Sequence, residues 1–111
     1  MSSWGYGICV VLATVPDAEA GRRLARSLLQ ERLIACASLV PGVTSLYRWE
    51  GEVREEGESL VVMKTRSGLV PRLVARIPEL HPYELPEVLA LRVADGLPAY
   101  CRWVLEETGG G

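Results

Sequence analysis

The chain has 111 residues, of which 12 are basic and 14 acidic, and its net charge is -2. This length fits one domain whose core folds without disulfides or bound metal, and a hydrophobic fraction of 49% excludes a disordered chain. The acidic balance, with no arginine cluster beyond Arg22-Arg23, argues against nucleic acid as a partner. We expect a single domain over residues 1–111 with its core in 8–107.

Compartment and redox state are read from the N-terminal segment and the cysteines. The longest uncharged stretch, residues 1–16, lacks the basic start and the small-residue cleavage site of a signal peptide. The chain has three cysteines, Cys9, Cys36 and Cys101. They are widely spaced, and their spacing matches no metal-binding motif. Such residues are typical of free thiols in a reducing cytosol, so we expect a cytoplasmic protein with no membrane partner.

The first predicted elements are a strand and a helix. Residues 8–15 (ICVVLATV) form a nearly continuous aliphatic run, which is typical of a strand inside a sheet. Asp17 is expected to cap a helix that runs to Leu33. Apolar residues recur at helical spacing along one side of this helix, which predicts that it packs on the sheet.

Two long segments rich in β-forming residues follow. The first covers residues 34–50, and Pro41-Gly42 within it predicts a bulge. The chain is expected to turn at residues 50–52 and to return along residues 53–64, which predicts an antiparallel hairpin.

The hairpin predicts an oligomer. Leu46, Tyr47 and Trp49 are large apolar residues of both strand parities, so they point to both sides of the hairpin. The helices of one chain cover only one side. We therefore expect a homo-oligomer, because an exposed aromatic hairpin would aggregate.

The second half of the chain repeats the pattern of helix and strand. Ser67 is expected to cap a second helix with Pro71 in its first turn, and Pro78 to distort or end its last turn. A proline-rich loop covers residues 81–86, and residues 88–93 (VLALRV) predict a strand.

A final helix is expected to start at Pro98, with Tyr100, Trp103 and Val104 packed inward, before a frayed tail at 109–111. The order β-α-β-β-α-β with a C-terminal helix is the ferredoxin-like arrangement of the α+β class.

Several motifs resemble those of the CutA family, the divalent-cation tolerance proteins. The motifs are ERLIACASLVPGVTSLYRWEGEV (31–53), Lys64-Thr65, HPYELPEV (81–88), and the aromatic residues Tyr100 and Trp103. The resemblance implies a tight homotrimer similar to the PII signalling proteins, with the hairpins wrapping between subunits. It also implies an association with copper, as Cu²⁺, and other divalent cations.

The resemblance further implies a polar cluster near the cleft between subunits. Carried over by position, the cluster consists of Lys64, His81, Tyr83, Glu84 and Glu87, with Cys36, Tyr47 and Trp49 close by. We predict His81 and Cys36 as metal ligands, and Lys64, Tyr83, Glu84, Glu87 and Trp49 as residues that line the cleft.

Each candidate also has a structural interpretation. His81 suits Cu²⁺ or Zn²⁺ beside carboxylates, but its nitrogens could instead bond loop carbonyls. Cys36 is a possible soft ligand or a small buried hydrophobe. Lys64 could pair with Glu84 or Glu87, bind an anionic ligand, or lie free at the strand end.

Two classes of function stay open. The first is a non-enzymatic trimeric protein that holds a divalent cation or a small anionic effector in its clefts. The second is an enzyme that uses His81 with Tyr83 and Glu84 for acid–base chemistry. The sequence has no nucleophile elbow or phosphate-binding loop, which favours the first class.

Overall fold

The computed structural model describes residues 6–109 and confirms the α+β, ferredoxin-like arrangement. Its elements are β1 (Ile8–Val15), α1 (Ala18–Gln30), β2 (Cys36–Trp49), β3 (Glu52–Arg66), α2 (Val70–Leu80), β4 (Leu89–Arg92) and α3 (Pro98–Thr108). The strands form one sheet in the order β2-β3-β1-β4, and every neighbouring pair is antiparallel. The two central strands are β1, which is aliphatic along most of its length, and β3, which is apolar at residues 60–63.

The core lies between the sheet and the helices α1 and α2. Residues directly opposite each other in an antiparallel pair share a face, and the odd-numbered residues of β1 and β3 point to the helices. Full burial of a Val or Leu side chain stabilises the fold by about 1.5–3 kcal/mol, so this layer provides most of the stability. Its fully buried members include Val11, Val15, Val61, Met63, Leu28, Leu73 and Ile77.

Helix α1 has a defined beginning and end. The Asp17 carboxylate accepts a hydrogen bond of 2.8 Å from the Ala20 amide, which confirms the predicted N-cap. At the other end, the two backbone hydrogen bonds of a Schellman motif place Arg32 in the left-handed region, with φ of 59°. The Arg32 side chain then reaches the end of α3 and donates to the carbonyls of Glu106 and Glu107.

The predicted bulge is present in β2. Val40 lies opposite Leu60 and Val43 lies opposite Glu58, so β2 has one residue more than β3 at this point. Gly42 adopts φ of 73°, which costs glycine little. The extra residue reverses the side to which each later residue of β2 points.

This reversal decides where the hairpin's aromatic residues lie. Tyr47 is directly opposite Arg54, and Trp49 is directly opposite Glu52. These pairs share the side of β3 that faces away from α1 and α2. A two-residue turn at Glu50 and Gly51, both with positive φ, closes the hairpin as predicted.

Helix α3 covers one end of the second face of the sheet, where Cys101 and Val104 pack on Ile8 and the Arg66 guanidinium donates to the Leu105 carbonyl. The remainder of that face has no helix over it among residues 6–109. We call it the open face, and its apolar members are Val10, Leu12, Leu60, Val62, Leu89 and Leu91. Leu89 and Leu91 are more than half exposed. Separately, none of the helices within residues 6–109 has the length and apolar character needed to cross a membrane.

Some local predictions are wrong. Ser67 caps no helix with its side chain: it starts a short 3-10 turn, Ser67–Leu69, and its hydroxyl lies 3.3 Å from the Cys9 thiol. Tyr100 and Trp103 do not pack inward, since they are 41% and 39% exposed and stack on each other.

Other predictions need smaller changes. Helix α2 continues through Pro78 to Leu80, and β4 contains only four residues. Val104 is buried as expected. The predicted tail falls largely outside the described residues, which end at Gly109.

Candidate functional site

A groove with a volume of about 620 Å³ lies between the outer half of the β2–β3 hairpin and the segment 81–87. The segment is held against the end of β1. The lining residues, which define the groove, are Thr14, Ser45, Leu46, Tyr47, Arg48, Trp49, Arg54, Glu56, Glu58, Tyr83, Glu84, Leu85 and Glu87. Trp49, Tyr83, Glu84 and Glu87, all predicted to line a cleft, are therefore brought together here.

His81 fixes the segment that forms one wall of the groove. The side chain is buried, and its Nδ1 accepts a hydrogen bond of 3.1 Å from the Tyr83 amide. The proton must then lie on Nε2, which donates to the Thr14 carbonyl at 2.7 Å. Neither ring nitrogen has a free lone pair in this arrangement. Metal ligation by His81 stays a prediction, and it requires one of these bonds to break.

Tyr83 connects this segment to β3. Its ring packs against His81 with ring centres 4.8 Å apart, and its hydroxyl donates to the Glu58 carboxylate at 2.6 Å. Burial raises the pKa of Tyr83 above its usual value, and the bond to Glu58 raises it further. Tyr83 therefore stays protonated and remains a donor to the carboxylate.

Glu58 is a groove residue that sequence reasoning missed. Glu58 is only 9% exposed. Among residues 6–109, no lysine or arginine forms an ion pair with it within 4.0 Å. A buried carboxylate without a cation is unfavourable, so this position attracts positive charge. The strand alternation with Leu60 and Val62 was the signal that could have identified it.

The rest of the groove is acidic and aromatic. Tyr47 donates a short hydrogen bond to Glu56, which raises the pKa of Tyr47. Four carboxylates and two guanidinium groups line the groove, which leaves it with a net negative charge. Such a surface favours cations over anions.

Cys36 and Lys64 lie at a different place on the sheet. They are directly opposite each other on β2 and β3, and the Lys64 ammonium donates to the Cys36 thiol at 3.7 Å and to the Ser38 hydroxyl at 3.2 Å. Lys64 pairs with neither Glu84 nor Glu87. Burial raises the pKa of the Tyr100 hydroxyl, and the nearby Cys36 thiol raises it further.

The two predicted metal ligands are therefore separated within one chain. Cys36 lies beside Lys64, which is opposite Val10 on β1. His81 bonds to Thr14, four residues further along β1. At the rise of a β-strand, this spacing is about 13 Å. In the described part of the chain, no group of three or more His, Cys, Asp or Glu side chains is arranged to hold a metal ion.

Comparison with known proteins gives the family. The family model described as "CutA1 divalent ion tolerance protein" matches residues 9–107. The "Divalent-cation tolerance protein CutA" of Thermus thermophilus is 49% identical over 100 residues, which are 90% of this chain and 97% of that protein. The "Protein CutA, chloroplastic" of Arabidopsis thaliana is 43% identical over 99 residues, and the chain spans 54% of its length.

The fold comparison agrees. The crystal structure of CutA from Xylella fastidiosa superposes with a TM-score of 0.90 at 37% identity, and the match covers 93% of this chain and 99% of that chain. Sequence and structure thus match over nearly the same residues. The chain belongs to the CutA1 divalent ion tolerance protein family.

Proposed function

We propose that the protein is a non-enzymatic homotrimer that binds divalent cations, copper among them, and contributes to metal tolerance or signalling. The observation that carries this proposal is the buried Glu58 carboxylate, which has no cationic partner within residues 6–109 and lies in a groove of net negative charge. The family description, which names divalent ions, agrees with that charge. We further propose a cytoplasmic location, where Cys9, Cys36 and Cys101 remain free thiols.

The open face supports the trimer. Its apolar side chains on β1, β3 and β4 lie next to one another, and no helix within residues 6–109 covers them. A surface of this kind marks an interface between proteins. Light scattering after gel filtration should give three times the chain mass of 12.2 kDa. The substitution Leu91→Glu should shift the mass towards the monomer, and a wild-type monomer would contradict the proposal.

For the metal, we propose the carboxylates of the groove as the primary ligands. Glu58, Glu84 and Glu87 offer oxygen atoms, whereas both His81 nitrogens are bonded to the backbone. Because the described part of one chain contains no complete metal cluster, the proposal takes further ligands from another copy or from water. The Cys36 thiol of a neighbouring copy is the proposed soft ligand for copper.

Calorimetric titration with Cu²⁺ tests this assignment. The double substitution of Glu84→Gln with Glu87→Gln should weaken binding by about tenfold or more, because each change removes a charge-assisted contact. Glu55→Gln is the control, since Glu55 is an exposed carboxylate on β3 that lies outside the groove. If Cys36→Ser abolishes binding while the double variant binds normally, the metal site lies at Cys36 and the groove assignment is wrong.

The alternatives fit the geometry less well. A small anionic effector would meet a net negative groove, although Lys64 at the other end of the open face has no carboxylate partner among the described residues. An acid–base enzyme needs a base with a free lone pair. His81 has none here, and the raised pKa of Tyr83 makes its hydroxyl a poor proton donor to substrate.

A further inference from the structure

Helix α3 packs on the sheet through a small core of its own. Cys101 and Val104 of the helix pack on Ile8 and Ala35, and these four residues form a cluster separate from the core under α1 and α2. Among residues 6–109, the core under α1 and α2 has twelve buried members. Burial stabilises packing roughly in proportion to the apolar area that is removed from water. The docking of α3 is therefore weaker than the packing of the other two helices.

The sequence of α3 gives the helix little stability of its own. Its N-cap is Leu97, whose side chain accepts no hydrogen bond from the first amides. Its last turn contains Glu106 and Glu107, whose charges repel the negative end of the helix dipole. Gly109 follows with φ of -68°, so the helix lacks the left-handed glycine cap. A helix of 11 residues without these signals depends on contacts from outside itself.

Two arginines from other elements supply those contacts. Arg32, which follows α1, donates to the carbonyls of residues 106–107 at 3.2 and 3.3 Å. Arg66, the last residue of β3, donates to the Leu105 carbonyl and to the Thr108 hydroxyl. The guanidinium groups thus satisfy carbonyls that a helix end leaves free, and their charge suits the negative end of the dipole. The Arg32 bonds are exposed to solvent, so water can replace them readily.

We infer that α3 is a strap that opens as one unit while the four-stranded sheet stays folded. Opening breaks the bonds from Arg32 and Arg66 and leaves residues 93–97, which have no regular secondary structure, as the connection. Cys101, which is 1% exposed in the closed state, becomes accessible to water. Ile8 is on the same side of β1 as Val10, so opening also extends the open face. The position of α3 therefore determines how much apolar surface a second copy of the chain can cover.

Labelling with N-ethylmaleimide tests the inference on the full-length protein. Peptide mass spectrometry gives the labelling rate of Cys101, and hydrogen exchange at residues 10–13 of β1 gives the unfolding of the sheet. Relative to the rates of the unfolded chain, opening at Cys101 should be about tenfold or more as frequent as unfolding of the sheet. Arg32→Ala and Arg66→Gln should each raise the labelling of Cys101 by about fivefold, because each loses its bonds to α3.

Thr65→Val is the control, because it weakens the sheet without changing a contact of α3. Its lost bond to the Leu33 carbonyl should raise exchange at residues 10–13 by about fivefold or more. The labelling of Cys101 should stay at the wild-type rate, since the bond is intact whether α3 is open or closed.

The outcomes are distinct. If wild-type Cys101 is labelled only as often as the sheet unfolds, or if Thr65→Val raises its labelling together with exchange in β1, α3 opens only with the whole fold and the inference is overturned. Faster labelling in the two arginine variants, with none in Thr65→Val, supports it. Circular dichroism first checks that each variant folds, and Arg32→Ala alone decides if Arg66→Gln misfolds. The inference needs no metal, so the result does not depend on the Cu²⁺ titration.

Discussion

Arg32 combines an unfavourable backbone conformation with a favourable side-chain contact. Its φ of 59° lies in the left-handed region, which costs a non-glycine residue about 1–2 kcal/mol. Its guanidinium donates to the carbonyls of Glu106 and Glu107 at 3.2 and 3.3 Å and so holds the C-terminal turn of α3. Because these bonds are exposed, we assign them about 1 kcal/mol together.

Two substitutions separate the contributions. Arg32→Ala keeps the left-handed strain and loses the bonds to α3, so the free energy of unfolding should fall by about 1 kcal/mol. Arg32→Gly also loses the bonds but relieves the strain, and the freedom of glycine in the unfolded chain offsets about 0.4–1 kcal/mol of that relief. The glycine variant should therefore be close to wild type and about 1 kcal/mol more stable than the alanine variant.

Urea unfolding at one fixed protein concentration measures these differences, since the stability of an oligomer depends on concentration. Hydrogen exchange adds a local measurement: both variants should exchange faster at residues 105–108, because both lose the contact with α3. An alanine variant as stable as wild type would refute the role of the side chain. A glycine variant no more stable than the alanine variant would refute the argument from backbone strain.

Two further predictions concern buried polar groups. Thr65→Val should lower the free energy of unfolding by about 1–3 kcal/mol, because the fully buried Thr65 hydroxyl donates to the Leu33 carbonyl at 2.7 Å. Urea unfolding measures this loss, with Thr44→Val as the exposed control. Equally small losses of stability in both variants would contradict the prediction. Because the folded-state pKa of Tyr83 is raised, the native chain keeps a proton that the unfolded chain loses, so stability should fall as pH rises past about 10. Tyr83→Phe should make that fall shallower in unfolding measured across alkaline pH, and an unchanged slope would show that Tyr83 titrates normally.

Local sequence signals predicted the fold where one chemical preference dominates. Asp17 caps α1 because a carboxylate suits free amides, and Pro41-Gly42 forms a bulge because Gly42 tolerates positive φ. Ser67 was misjudged because its hydroxyl meets Cys9, a residue 58 positions away, which no local pattern reveals. Helical periodicity likewise could not show that the sheet leaves Tyr100 uncovered.

The candidate site was predicted in part for a similar reason. Tyr83, Glu84 and Glu87 lie close in sequence on a segment stiffened by prolines, so they reach one groove together. Lys64 lies on the same sheet but at the other end, and its place relative to them depends on strand register. Glu58 was missed because a charged residue in a charged hairpin resembles a solvent-exposed one, whereas Tyr83 covers it in the fold.

The single extra residue at the β2 bulge has a consequence for how this protein can change. Strand side chains alternate, so deleting Gly42 would exchange the two sides of the whole outer half of β2. Tyr47 and Trp49 would then leave the groove although neither had been replaced. A change of chain length alone can thus remove the groove. In a related sequence, a one-residue insertion or deletion near Gly42 therefore indicates altered binding better than the identity of the aromatic residues does.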